Sequence, residues 1–138
     1  MQSAQLRGKK PSLEHESRFW ERGYRAVAGL DEAGRGAWAG PVYAGAVILA
    51  PQLPAPPQLS AVRDSKQLSP AQREAAFAAI QTTALAWAAG WASAVEIDAL
   101  GIVPATRLAM TRALVALPLL PDALLIDALR LPEIPLPQ

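Results

Sequence analysis

Two apolar stretches of strand length, Tyr24–Leu30 and Pro41–Leu49, flank the polar segment Asp31-Glu32-Ala33-Gly34-Arg35-Gly36. This pattern constrains the fold more than any other in the chain. An apolar run of that length bounded by turn residues reads as a buried strand, and two in succession read as antiparallel neighbours joined by the loop. Upstream, Ser12 suits a helix N-cap, with Glu14 and Glu16 in the first turns and Gly23 as the residue that closes the helix. Downstream, Ser69 before Pro70 predicts a helix start, with the helix running to about Gln81. Ala84–Ala94, with Trp87 and Trp91, reads as a third strand. Glu96–Gly101 reads as a short helix closed by Gly101. Ala105–Leu117 carries Leu108, Ala109, Ala113, Leu114 and Leu117 at helical spacing and is stopped by Pro118 and Pro121. Ala123–Ile126 is a short buried strand ending at Asp127, and Leu131–Pro137 is expected to be extended. Strand, strand, helix, strand, helix, strand predicts an α/β fold, a mixed sheet flanked by helices.

At 138 residues the chain has room for one domain. Met1–Pro11, with Arg7, Lys9 and Lys10 and no apolar period, is expected to be a disordered basic lead-in, and residues 12–138 the folded domain. The apolar fraction of 51% against 18% charged residues excludes a disordered chain. No apolar run approaches the ~18 residues of a membrane span, and the polar N-terminus does not resemble a secretory signal, so a cytoplasmic protein is expected. Cysteine is absent and His15 is the single histidine. Thiol chemistry, zinc–thiolate sites and multi-histidine metal clusters are thereby excluded, and any metal would sit mainly on oxygen ligands, which suits Mg2+ or Mn2+. Thirteen Lys and Arg against twelve Asp and Glu give a net charge of +1, unlike a protein that coats DNA.

The residues with chemical content lie at strand ends. Asp31 and Glu32 follow an apolar run, and a buried strand end is a costly place for two adjacent anions. Asp127 repeats the pattern. Ligands of α/β sheets bind outside the carboxyl ends of strands, so if these strands are neighbours Asp31 and Asp127 share one crevice. Clustered carboxylates raise one another's pKa unless a cation neutralises them, and a divalent metal pair held on carboxylates can hydrolyse a phosphodiester without histidine or cysteine. The residues alone more readily permit a plainer assignment: Asp31 caps a turn, Glu32 is solvated, and Asp127 opens a loop.

Ala28-Gly29-Leu30-Asp31-Glu32-Ala33-Gly34-Arg35-Gly36, then Trp38-Ala39-Gly40-Pro41-Val42, resembles the signature of ribonuclease HII, the type 2 ribonuclease H family. The likeness continues through Asp64-Ser65-Lys66-Gln67-Leu68-Ser69, the Gly101–Met110 segment, and Leu125-Ile126-Asp127 with Leu131-Pro132, in unbroken order from about Gly23 to Pro137. It implies a ribonuclease H-like fold. It also implies hydrolysis of the RNA strand of RNA–DNA hybrids and of single ribonucleotides in duplex DNA, with Mn2+ or Mg2+, leaving 5′-phosphate and 3′-hydroxyl ends. Asp31, Glu32 and Asp127 match three of the family's four metal-binding, catalytic carboxylates. Gly34, Arg35 and Gly36 match the loop that reads the ribose 2′-hydroxyl, the group that distinguishes RNA from DNA. Lys66 matches a lysine near the substrate phosphates. Ala128 stands where the family often has glycine. The fourth carboxylate and a substrate-contacting tyrosine lie beyond the matched segment in the family, so a C-terminally truncated, monomeric member with little activity of its own is expected. The alternative is a non-catalytic hybrid-binding module.

The remaining polar and aromatic residues have plainer expected roles. His15 is solvated on a charged helix, Trp38 packs behind the glycine loop, and Trp87 and Trp91 are core or half-buried. Glu96 and Asp98 start a short helix, and Arg107 and Arg112 are helix-surface charges.

Overall fold

The computed structural model describes residues 12–34, 40–62, 67–127 and 129–138. The basic lead-in, Arg35, Gly36, Trp38, Asp64, Ser65, Lys66 and Ala128 lie outside the described residues. The elements are α1 (Glu14–Glu21), β1 (Val27–Ala33), β2 (Val42–Ile48), a 3-10 turn (Pro57–Leu59), α2 (Pro70–Thr83), β3 (Ala86–Ala92), α3 (Ala94–Leu100), α4 (Ile102–Ala116) and β4 (Ala123–Ile126). One four-stranded sheet has the order β3-β2-β1-β4. β2 runs antiparallel to both its neighbours, whereas β4 lies parallel to β1. This is the mixed α/β sheet that the element order predicts. No helix among the described residues is long and apolar enough to cross a membrane.

Alternation along β2 and β3 sorts the sheet into two faces. Val42, Ala44, Ala46 and Ile48 are buried, as are Ala86, Gly90 and Ala92, while Tyr43, Gly45, Trp87, Ala89 and Trp91 are exposed. The buried face carries the core, where Ala28, Leu30, Val42, Ile48 and Leu124 meet Ala105, Ala109, Met110, Ala113 and Leu114 of α4. Alanines at 105, 109 and 113 form a stripe of small side chains that lets α4 approach the strands closely. Gly90 completes that fit, because a Cβ there would press into the backbone of Ala109, Arg112 and Ala113. The other face is covered at its edges: α1 is pinned by Trp20 against Val27 and Ala123, and Phe77 of α2 meets Trp87 edge-on.

Caps explain where helices begin. Ser69 and Ser93 each accept from the third helical N–H, and Gln72 and Glu96 each return a bond to the cap's own N–H, which closes two capping boxes. Gly23 and Gly101 both take positive φ, +94° and +89°, where a glycine is needed to close the helix before it.

Several expectations shift. Leu13, not Ser12, precedes α1, and no side chain caps it. β1 begins at Val27, later than Tyr24, and runs through Asp31 and Glu32 to Ala33, so both carboxylates belong to the strand and not to the loop. The ladder to β2, with Asp31 opposite Gly45 and Glu32 opposite Ala44, supplies the hydrogen bonds that extend it. The 131–137 stretch is not extended. It turns, with Ile134 N–H donating to Leu131 O and the Gln138 amide clasping the Leu131 backbone from both sides.

Candidate active site

The geometry of the site follows from the pairing of β1 with β4. Their parallel register sets Val27 beside Ala123 and Leu30 beside Ile126. The next residue on each strand is a carboxylate, Asp31 and Asp127. Asp122 fixes this register at the opposite end: its carboxylate accepts from Arg25 N–H at 2.9 Å and Ala26 N–H at 3.0 Å, and its own N–H donates to Ala26 O. A slip by one residue would carry Asp127 to the other face of the sheet.

Asp31 and Asp127 line one open hollow of about 770 Å³, floored by Gly29, Gly45, Val47 and Leu125 and walled by His15 and Glu16 of α1. The glycine floor leaves the space above the sheet free beside the acids. Asp31 Oδ1 accepts the Glu32 N–H at 2.9 Å, which orients its carboxylate from within the strand. Glu32 is half-buried and, by strand alternation, projects to the opposite face from Asp31. Among the described residues no three His, Cys, Asp or Glu side chains stand close enough to hold one metal ion. Asp31 and Asp127 supply hard oxygen donors of the kind Mg2+ and Mn2+ take.

Gly34 ends the strand with φ +84°, and a Cβ there would lie 3.0 Å from Pro41 O. Glycine is therefore required at the first position of the Gly-Arg-Gly segment for the backbone to leave β1 at all. Gly34 is exposed and continues directly from the carboxylate end of the strand.

Two residues of the hollow escape a reading of the sequence, His15 and Glu16. His15 is exposed, as its charged helix suggests, but it stands on the wall facing Asp31 and Asp127. No local signal marks it, because its place depends on how α1 docks through Trp20. Arg112 is more than a surface charge. It forms a bidentate pair with Glu96, both contacts at 2.8 Å, and also donates to Trp91 O at 2.8 Å. That guanidinium holds the Glu96 carboxyl down at about 2. Arg107 donates to Arg130 O and ties α4 to the C-terminal segment. Trp87 and Trp91 are 39% and 57% exposed, so neither is the core or half-buried residue expected. Their spacing is a strand spacing, and it turns both rings away from α4.

The family model for ribonuclease HII matches residues 28–136. The chain is 56% identical over 134 residues to a ribonuclease HII of Roseiflexus castenholzii, covering 96% of this chain and 60% of that protein. It is 53% identical over 122 residues to one of Thermus thermophilus, covering 88% and 56%. Among solved structures, the ribonuclease H2 of Pyrococcus horikoshii superposes with a TM-score of 0.61 at 27% identity, over 75% of this chain and 51% of the other. Bst-RNase HIII in complex with Mn2+ superposes at 0.59 and 25% identity, over 78% and 38%. The chain spans about 60% of the length of these curated relatives. The family-model match over most of the chain and these likenesses place the chain, with its ribonuclease H-like fold, in the ribonuclease HII family.

Proposed function

We propose that the protein is a metal-dependent endoribonuclease acting on the RNA strand of RNA–DNA hybrids and on single ribonucleotides in duplex DNA, leaving 5′-phosphate and 3′-hydroxyl ends. The observation that carries this reading is the shared hollow over Asp31 and Asp127, opened on a glycine floor at the carboxyl ends of adjacent parallel strands. Asp31 and Asp127 would hold the divalent cation. Glu32 joins them on the strength of the family resemblance. When bound, Mg2+ or Mn2+ supplies a water of lowered pKa and charge stabilisation for the departing oxygen. The chain's own residues do the rest. Asp31, held by the Glu32 N–H, presents its carboxylate without a search over rotamers. The Gly34, Arg35 and Gly36 segment brings backbone groups to the ribose 2′-hydroxyl, and Lys66 meets a substrate phosphate. The setting is the cytoplasm, and the acting species is a monomer.

A second reading, a hybrid-binding module that does not cut, draws support from the separation of Glu32 from Asp31 and Asp127: among the described residues no three His, Cys, Asp or Glu side chains could hold one metal ion. Asp31→Asn separates the two. On a duplex with one embedded ribonucleotide, the cleavage reading expects wild-type scission and a loss of at least about 100-fold in the variant, as losing a group that acts in the transition state does. No scission by the wild type or the variant, with binding intact in both, sinks the enzyme and leaves the binding module.

A further inference from the structure

The exposed sheet face holds an aromatic pair that the carboxylate chemistry does not use. Tyr43 and Trp91 are directly paired across β2 and β3, and both side chains are open to solvent, 48% and 57% exposed. They share a face with Asp31, because Asp31 pairs with Gly45, two residues along β2 from Tyr43. They also sit at the same end of the sheet, since Ala33, the last residue of β1, pairs with Tyr43. The strand under Trp91 is held from the α4 side. Gly90 presses against α4, and Arg112 grips the Trp91 carbonyl from the far face. At the other end of the same face Trp87 already has a partner in Phe77.

We propose that Tyr43 and Trp91 form a stacking platform for the nucleic-acid strand that passes the Asp31–Asp127 hollow. The proposal rests on the hybrid-cleaving reading and deepens it. The pair stands on the same face and at the same sheet end as the Asp31–Asp127 hollow, so the strand that reaches the hollow is its occupant. The chain carries a net charge of only +1, so affinity for a polyanion cannot come from bulk electrostatics. The hollow beside the platform is acidic and repels phosphate until a cation fills it. Contacts to base and sugar faces answer both points, and flat rings on a strand surface make them without reading sequence.

The test uses the whole 138-residue chain and a fluorescein-labelled duplex with one ribonucleotide, read by anisotropy with Ca2+ in place of Mg2+. Trp91→Ala is expected to raise Kd about tenfold or more, with Trp91→Phe within about threefold of wild type. The slope of log Kd against log salt should stay unchanged, because no phosphate contact is lost. Wild-type affinity in Trp91→Ala overturns the platform while leaving the hybrid-cleaving reading intact. Equal weakening in Trp91→Phe and Trp91→Ala, with a lowered melting temperature in both, also overturns it and makes Trp91 a structural residue. Failure of the wild type to bind the duplex removes the reading and the platform together. A wild-type dimer in sedimentation that Trp91→Ala dissolves, with duplex affinity unchanged, overturns the proposal by giving the face to a second copy.

Discussion

Single side chains in this protein act at a distance from their own element. Arg112 leaves α4 to bind Glu96 at the start of α3 and the Trp91 carbonyl at the end of β3, so one guanidinium joins three elements. The cost of ordering it is shared with the capping box, because Glu96 is also the residue that returns to the Ser93 N–H. The Glu96 carboxyl is lowered from 4.5 to about 2, chiefly by its Arg112 hydrogen bond and then by the Ser93 N–H. A carboxyl depressed in the folded state lends stability above its unfolded pKa, and that stability fades as pH falls through the folded value. The acid limb between 4.5 and about 2 should therefore show a falling urea midpoint in wild type, and a flatter one in Glu96→Gln. Equal slopes in the two proteins would remove this pair from the stability of the fold. The short helix was legible as Glu96–Gly101, but that reading places its start late: Ser93 caps it through the Glu96 capping box and the helix begins at Ala94. The Arg112 arm was not legible, because sixteen residues and a helix–helix turn separate it from Glu96.

At the scale of elements, small residues decide how closely layers approach. The alanine stripe of α4 and Gly90 of β3 meet backbone to backbone, and the strand cannot retreat without breaking its ladder to β2. Gly90→Ala is expected to destabilise by about 3 kcal/mol, the upper end of overpacking costs, because the obstruction is main chain and not a movable side chain. Urea unfolding measures it: the midpoint should fall with the m-value kept. A loss under about 0.5 kcal/mol would mean that α4 slides away at little cost. Helix and strand identities were readable because periodicity and caps are local. Ser69-Pro70, Gly101 and the proline stop after α4 act within one or two turns of themselves. The misjudged end of β1 has the opposite origin. Asp31 and Glu32 are poor strand formers, and their strand conformation comes from pairing with Gly45 and Ala44, which no window on β1 contains.

For the whole molecule, the fold gathers two acids of the motif, Asp31 and Asp127, into one hollow and sends Glu32 to the other side of the strand. Two carboxylates hold a divalent cation weakly when water supplies the remaining ligands. Mn2+ is therefore expected to raise the melting temperature of the 138-residue chain only at roughly millimolar concentration, as mass action on a weak site dictates. The rise should vanish in the Asp31→Asn, Asp127→Asn double variant, as followed by calorimetry in the presence and absence of EDTA. An unchanged rise in that variant would place the cation elsewhere. The same reasoning expects turnover on a ribonucleotide-containing duplex well below that of a full-length relative.

The order of apolar runs and helix signals marks an α/β protein from the chain alone, and the absence of cysteine with a single histidine directs any metal mainly to oxygen ligands. Those properties are local or additive, so folding cannot alter them. Which acids meet is a different matter. Asp31 and Asp127 are brought together by a parallel pairing anchored through Asp122, His15 reaches their hollow only because Trp20 docks α1, and Tyr43 stands opposite Trp91 only in the register of β2 on β3. Each is a contact between residues far apart in sequence. Its geometry exists only once the core has fixed every strand against its neighbours.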